Sequence, residues 1–169
     1  MSKTSYTILV ADDEPSVRSL LNNILIKEGY HVITAGNGPE ALSCFQKHSP
    51  DLVLLDVRMP LLDGIETFKR IREESKDALV IMMTAYGTIE TAVQAMKMGA
   101  FDYLAKPFNV EEIKVVIKKA LEMYNISTQL SVLRQEVSEK YSLGNIIIKS
   151  KCMQEVIRLA DVVSKSEAT

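Results

Sequence analysis

Five short apolar runs alternate with segments of helical hydrophobic spacing along the first 109 residues of this chain. The apolar runs are Tyr6–Ala11, His31–Ala35, Leu52–Leu55, Leu79–Thr84 and Asp102–Ala105. The helical segments between them are Pro15–Glu28, Pro39–His48, Gly64–Glu74 and Thr88–Met98. Short, continuously apolar runs are typical of strands buried on both faces, as in a parallel sheet. The alternation therefore predicts an α/β fold, a doubly wound five-stranded parallel sheet with right-handed crossovers.

The chain changes character after Asn109, because residues Val110–Lys140 contain neither Gly nor Pro and are rich in strong helix formers. This pattern predicts an extended C-terminal helix that completes a first domain over residues 1–125 and continues as a linker over 126–141. The linker covers about two heptads, so a coiled coil and a single amphipathic helix lying on the domain are both open.

Composition excludes several classes of function. The 20 basic and 22 acidic residues leave a net charge of −2, which does not favour chain-wide binding to nucleic acid or to an anionic membrane. No apolar stretch approaches the roughly 20 residues of a membrane helix, and the N-terminus lacks the pattern of a signal peptide. Two isolated cysteines are typical of reduced thiols, so we expect a cytoplasmic protein.

Polar side chains lie at or directly after the carboxyl ends of four of the five predicted strands. In open α/β sheets, sites form outside the carboxyl ends of the strands, so these side chains are expected to share one edge. The residues, in chain order, are Asp12, Asp13 and Glu14, then Asp56, Thr84 and Lys106. A single acid or threonine at a strand end is usually a helix cap, and a lysine there is usually solvated. Joint occurrence at four strand ends favours a functional site.

The chemistry of this set points to phosphoryl transfer. Clustered carboxylates repel one another unless a cation neutralises them, and hard oxygen ligands without His or Cys favour Mg²⁺ or Mn²⁺. Lys106 supplies a positive charge that suits phosphate. Asp56 is ionised at neutral pH and could attack an electrophilic phosphoryl group to give an aspartyl phosphate.

Three motifs connect these residues to a family. The segments DVRMPLLDG, MMTAYG and DYLAKPF, together with the strand-end set, resemble the receiver domain of bacterial two-component response regulators over about residues 4 to 125. The resemblance implies strand order 2-1-3-4-5 and a flavodoxin-like fold. It also implies that Asp56 is the phosphoacceptor and that a sensor histidine kinase is the donor.

The same resemblance implies a Mg²⁺ site. Asp13, Asp56 and the backbone carbonyl of Arg58 would bind the ion, and Asp12 would act through a coordinated water. The chain would then be a regulatory domain that catalyses transfer to its own Asp, not an enzyme acting on other substrates.

The remaining family positions concern the response to phosphate. Thr84 would hydrogen-bond the phosphoryl group and Lys106 would pair with it, while Tyr103 matches the aromatic switch position. Movement of Thr84 would let the Tyr103 ring fill the vacated space. The Lys106–Pro107 peptide bond is commonly cis in this family.

The tail, residues 142–169, contains the segment IIKSKCMQEV, which resembles the opening of the AAA+ ATPase domain in NtrC-type activators of sigma-54 RNA polymerase. It contains a strand-like run and a helical pattern over Lys151–Ser164, and we expect a truncated piece of that domain. No G-x-x-x-x-G-K-[ST] motif is present for ATP. The expected partners are a second copy, through the fourth helix, fifth strand, fifth helix and linker, and, in the full-length protein, the AAA+ domain and sigma-54 RNA polymerase.

The residues support four other interpretations to different degrees. A stand-alone phosphorylation-dependent interaction module stays open. A Mg²⁺-dependent phosphohydrolase of the haloacid dehalogenase type needs a D-x-D motif, but Asp56 is followed by Val57 and Arg58. A flavodoxin-like mononucleotide binder is disfavoured by the acids of the first loop. Direct DNA binding is not expected, because no helix-turn-helix pattern is evident.

Overall fold

The computed structural model describes residues 5–85 and 89–140, without the side chains of residues 89–91 and 130–140. The strands are β1 (Thr7–Ala11), β2 (His31–Ala35), β3 (Leu52–Asp56), β4 (Val80–Thr84) and β5 (Asp102–Ala105). The helices are α1 (Pro15–Lys27), α2 (Gly38–His48), α3 (Gly64–Glu74), α4 (Ile89–Lys97) and α5 (Val110–Lys140). All strand pairs are parallel, and the sheet order is β2-β1-β3-β4-β5. The predicted doubly wound fold and strand order are confirmed.

Each face of the sheet carries its own hydrophobic cluster. Successive side chains of a strand point to opposite faces, so Leu9 joins one cluster and Ile8 joins the other. The first cluster is completed by α2, α3 and α4 and includes Phe68, which is fully buried. The second is completed by α1 and α5, through residues such as Leu21 and Ile117. Burial on both faces explains why the central strands β3 and β4 are apolar at nearly every position.

Among the described residues, element boundaries differ from the predicted ones by at most one residue. β1 begins at Thr7 and β4 at Val80, each one residue later than the apolar run suggests. α1 ends at Lys27 because Glu28 caps it, and Gly29 at φ 87 turns the chain toward β2. The predicted first residue of α4, Thr88, lies outside the described residues.

The chain divides into two compact units, Met1–Tyr124 and Asn125–Thr169. The sheet and the strand-end residues belong to the first unit. The strand-like run and the helical pattern over Lys151–Ser164 lie outside the described residues, and the boundaries 1–125, 126–141 and 142–169 stay predictions. Within residues 5–85 and 89–140, no helix has both the length and the hydrophobicity needed to cross a membrane.

Candidate functional site

Three carboxylates lie together at the carboxyl edge of the sheet. Asp12 and Asp13 follow β1, Asp56 ends β3, and one carboxylate oxygen from each lies within 4.8 Å of the others. Asp12 is 0% exposed and Asp56 4%, whereas Asp13 is exposed to solvent. The cluster is therefore anchored in the core on one side and accessible on the other. Neither Asp12 nor Asp13 is the N-cap of α1, because Glu14 occupies that position.

Lys106 brings the end of β5 into the same cluster. Its Nζ lies 2.6 Å from Asp12 Oδ2, 3.0 Å from Asp56 Oδ2 and 3.7 Å from Glu14 Oε1. The side chain is 8% exposed, so Lys106 is not the solvated lysine that the simplest alternative assumes. Burial lowers the pKa of Lys106, but its interactions with Asp12 and Asp56 outweigh burial and raise that pKa above its ordinary value.

The electrostatic environment of Asp56 opposes its ionisation. Burial raises the pKa of Asp56, and the negative charge of Asp12 raises it further. The hydrogen bonds that Asp56 accepts from Lys106 and from the backbone N–H of Arg58 lower the pKa, but the net shift is upward. A cation bound at the cluster would favour the ionised carboxylate in the same way as Lys106.

The loop that carries Asp12 and Asp13 is held by a residue that sequence reasoning missed. Arg18 Nη1 donates hydrogen bonds to the backbone oxygens of Asp12, at 2.6 Å, and Asp13, at 2.9 Å. The Asp12 amide donates to Ala35 O at 3.1 Å, which ties the loop to the end of β2. The available signal in the sequence is an arginine about one turn into the helix that follows the acidic loop.

The backbone of Asp56 is in close contact with the start of α3. A Cβ built on Gly64 would lie 1.9 Å from Asp56 O, so only glycine fits there without displacing β3. The Gly64 amide donates to Val57 O at 2.9 Å, and Asp63 caps α3 by accepting from the Glu66 amide at 2.8 Å. The end of β3 and the beginning of α3 therefore act as one packed unit beneath Asp56.

The remaining predicted site residues lie on β4, on β5 and in the loop after β3. Thr84 ends β4, is 1% exposed, and accepts the Lys106 amide on its backbone oxygen at 2.6 Å. Arg58 is exposed in the loop after Asp56. The half-buried Tyr103 packs against the hydrophobic cluster that α2, α3 and α4 complete. Its hydroxyl is buried without a hydrogen-bond partner among the described residues. The Lys106–Pro107 bond is cis, as the resemblance implies.

The donor set suits a hard divalent cation. Asp12, Asp13 and Asp56 offer three carboxylate oxygens and no nitrogen or sulfur, and one of the three residues faces solvent. Mg²⁺ binds one or two carboxylates and keeps several waters, which requires such an accessible side. The residues present therefore fit Mg²⁺.

Comparison with known proteins agrees with this geometry. The family model described as the response regulator receiver domain matches residues 8–118. Sporulation initiation phosphotransferase F of Bacillus subtilis is 43% identical over 116 residues, which are 69% of this chain and 94% of that protein. Regulatory protein AtoC of Escherichia coli is 36% identical over 162 residues, which are 96% of this chain but 35% of AtoC.

A solved structure extends the similarity along the chain. NtrX from Brucella abortus superimposes with a TM-score of 0.74 at 30% identity, covering 96% of this chain and 35% of the NtrX chain. This chain thus spans about a third of the length of AtoC and of NtrX. The matched residues 8–118 contain the whole acidic cluster and Lys106. The chain belongs to the response regulator receiver domain family.

Proposed function

We propose that this chain is a phosphoacceptor switch in which Asp56 receives a phosphoryl group from a sensor histidine kinase. The observation that carries the proposal is the convergence of Asp12, Asp13, Asp56 and Lys106 at one edge of the sheet. This arrangement supplies a nucleophile, a set of cation ligands and a fixed positive charge within a few ångströms.

Transfer to Asp56 needs no general base. An Asp56 carboxylate oxygen forms the new O–P bond while the P–N bond to the donor imidazole breaks, and the imidazole nitrogen keeps the electron pair. Phosphoryl transfer depends mainly on positioning and charge neutralisation. Lys106 Nζ, 3.0 Å from Asp56, can pair with an oxygen of the incoming group, and the Thr84 hydroxyl can donate a hydrogen bond to it.

We assign the Mg²⁺ ligands to Asp13, Asp56 and the backbone carbonyl of Arg58, with Asp12 acting through a coordinated water. When bound, the ion neutralises the clustered carboxylates and the oxygens of the transferred group. The protein contributes the fixed positions of Asp12 and Asp56, which are buried, and of Lys106, which spans them.

The proposed response begins at Thr84 and Tyr103. The phosphoryl group adds about −1.5 to −2 charge and would draw the Thr84 hydroxyl toward Asp56. The Tyr103 hydroxyl, already buried, would then settle in one of two packings, and the surface of α4, β5 and α5 would follow. Val93 and Met96 expose apolar surface on α4, which supports this surface as the dimer contact.

The proposed output is control of a downstream ATPase. Similarity to AtoC and NtrX over 96% of this chain supports a full-length sigma-54 activator with an AAA+ domain and a role in cytoplasmic transcription regulation. Dimerisation of the receiver, together with the linker, would set the assembly of that domain and its action on sigma-54 RNA polymerase.

The assignment of Asp56 is tested by Asp56→Asn. The substitution is nearly isosteric, so we expect an unchanged fold but no acceptance of label from radiolabelled acetyl phosphate with Mg²⁺. The matched control is Asp77→Asn, an exposed acid before β4 at the opposite edge of the sheet, which should label like the unaltered chain. Stable label on Asp56→Asn would contradict the assignment.

A further inference from the structure

The Arg18 side chain binds the backbone of the acidic loop that carries Asp12 and Asp13. It lies in α1, and its Nη1 donates to the backbone oxygens of Asp12 and Asp13 at 2.6 and 2.9 Å. One nitrogen thus fixes two successive peptide groups, and both belong to residues that carry cluster carboxylates. The Arg18 side chain contacts backbone oxygens of the loop and not the carboxylates, so Arg18 is not a metal ligand.

Asp12 has several other restraints. Its amide donates to Ala35 O at 3.1 Å, its Oδ1 accepts from the Glu14 amide at 2.9 Å, and its Oδ2 lies 2.6 Å from Lys106 Nζ. It is also fully buried. Loss of Arg18 would leave the Asp12 carboxylate held by these contacts.

Asp13 lacks comparable support. Its side chain is exposed, and no hydrogen bond or ion pair to another described residue holds its carboxylate. The position of that carboxylate therefore depends on the backbone of Asp13, whose oxygen is bound by Arg18. A ligand carried by an unrestrained loop loses affinity, because binding must then order the loop.

We infer that Arg18 is a positioning residue for the cation site, because it fixes the Asp13 backbone and so presents the Asp13 carboxylate to Mg²⁺. The inference rests on the proposed function, in which Asp13 is a ligand. Residues that orient metal ligands without touching the metal typically contribute about 10- to 100-fold to affinity.

The sign of the effect separates positioning from simple electrostatics. A positive charge near the cluster repels Mg²⁺, so a role through charge alone predicts tighter binding when Arg18 is neutralised. Positioning predicts weaker binding, in spite of the lost repulsion. A purely structural role predicts a lower unfolding temperature without Mg²⁺ and unchanged affinity in the folded protein.

The test measures Mg²⁺ affinity by titration calorimetry on the full 169-residue chain and unfolding temperature without Mg²⁺. Arg18→Met should bind Mg²⁺ about tenfold more weakly, and Arg18→Lys, which keeps a donor on a long side chain, should recover part of the loss. The control is Arg70→Met on α3, an exposed arginine 3.7 Å from Glu66, which should bind Mg²⁺ like the unaltered chain.

Each outcome bears on the inference. If folded Arg18→Met binds Mg²⁺ as tightly as the unaltered chain, or more tightly, the inference is overturned. The proposed function still stands in that case, provided that the unaltered chain binds Mg²⁺ and Asp13→Asn does not. Absence of Mg²⁺ binding in the unaltered chain overturns both. If Arg18→Met does not fold, Arg18→Gln removes the same charge on a side chain two atoms shorter than that of arginine, so positioning again predicts weaker Mg²⁺ binding. Binding by Arg18→Gln as tight as that of the unaltered chain overturns the inference.

Discussion

The positive charge of a single side chain, Lys106, offsets the negative charges of two buried carboxylates. Asp12 and Asp56 are almost fully buried, and burying an ion without a partner costs roughly several kcal/mol. The Lys106 ammonium between them is therefore needed for the stability of the fold as well as for the chemistry. Three carboxylates and one ammonium still leave an excess of two negative charges in the cluster. A divalent cation balances that excess, which is the residue-scale reason for expecting Mg²⁺.

The protonation of Asp56 gives a prediction for the Mg²⁺-free protein. Because burial raises the pKa of Asp56, its carboxyl carbon should titrate by NMR with a midpoint above the ordinary value of 3.8. Lys106→Met removes an interaction that lowers the pKa, so the midpoint should move higher still. Lys69→Met removes an exposed lysine paired with Glu66 and should leave the midpoint unchanged. A midpoint below 3.8, or a downward shift in Lys106→Met, would contradict this account of the cluster.

The same shift fixes the sign of one contribution to stability. A folded-state pKa above the unfolded value means that the folded protein binds more protons between the two values. The Asp56 contribution therefore becomes less favourable as pH rises from 3.8 through the raised pKa. The Lys106 contribution has the same sign in a higher pH range, since its raised pKa gives stability that is complete below 10.5 and lost as pH rises through the folded value.

At the scale of elements, the contact between α3 and β3 sets the position of Asp56. Gly64→Ala places a Cβ where Asp56 O lies, so the free energy of unfolding should fall by about 1–3 kcal/mol, measured by urea denaturation. Gly36→Ala is the matched control, because its Cβ would meet nothing closer than 3.5 Å, and we expect a change below about 1 kcal/mol. Equal effects of the two substitutions would show that the close approach at Gly64 does not constrain β3.

The elements themselves could be predicted because burial on both faces leaves a strong pattern. β3 and β4 are recognisable as apolar runs, and Pro15 and Gly29 mark the ends of α1. Boundaries were less predictable, since hydrogen bonding and not hydrophobicity decides whether Tyr6 belongs to β1. The strand order follows from the family resemblance and not from the pattern of the elements.

The site was predictable only in part. Asp12, Asp13, Asp56 and Lys106 each lie at or just after the carboxyl end of a strand, so the rule that sites form at carboxyl ends brings them together. Arg18 was missed because it acts through backbone oxygens, and a helix of ordinary composition does not reveal which carbonyl a side chain reaches. The close packing of Gly64 on Asp56 is likewise a three-dimensional contact.

At the scale of the whole molecule, the proposed output is a change of assembly. Beryllofluoride with Mg²⁺ mimics the phosphoryl group. It should therefore change the mass of the assembly measured by sedimentation, upward if phosphorylation forms the dimer and downward if phosphorylation breaks it. Asp56→Asn, which lacks the acceptor carboxylate, should keep the same mass with and without beryllofluoride. An unchanged mass for the unaltered chain would contradict the proposed switch.

The most direct test of the account is to locate the phosphoryl group on the chain. After incubation with acetyl phosphate and Mg²⁺, borohydride reduces an aspartyl phosphate to homoserine, and peptide mass spectrometry then identifies the altered residue. We predict homoserine at position 56 in the unaltered chain, and none there when Mg²⁺ is chelated. Homoserine at another aspartate, with Asp56 unmodified, would contradict the central claim that the buried cluster makes Asp56 the phosphoacceptor.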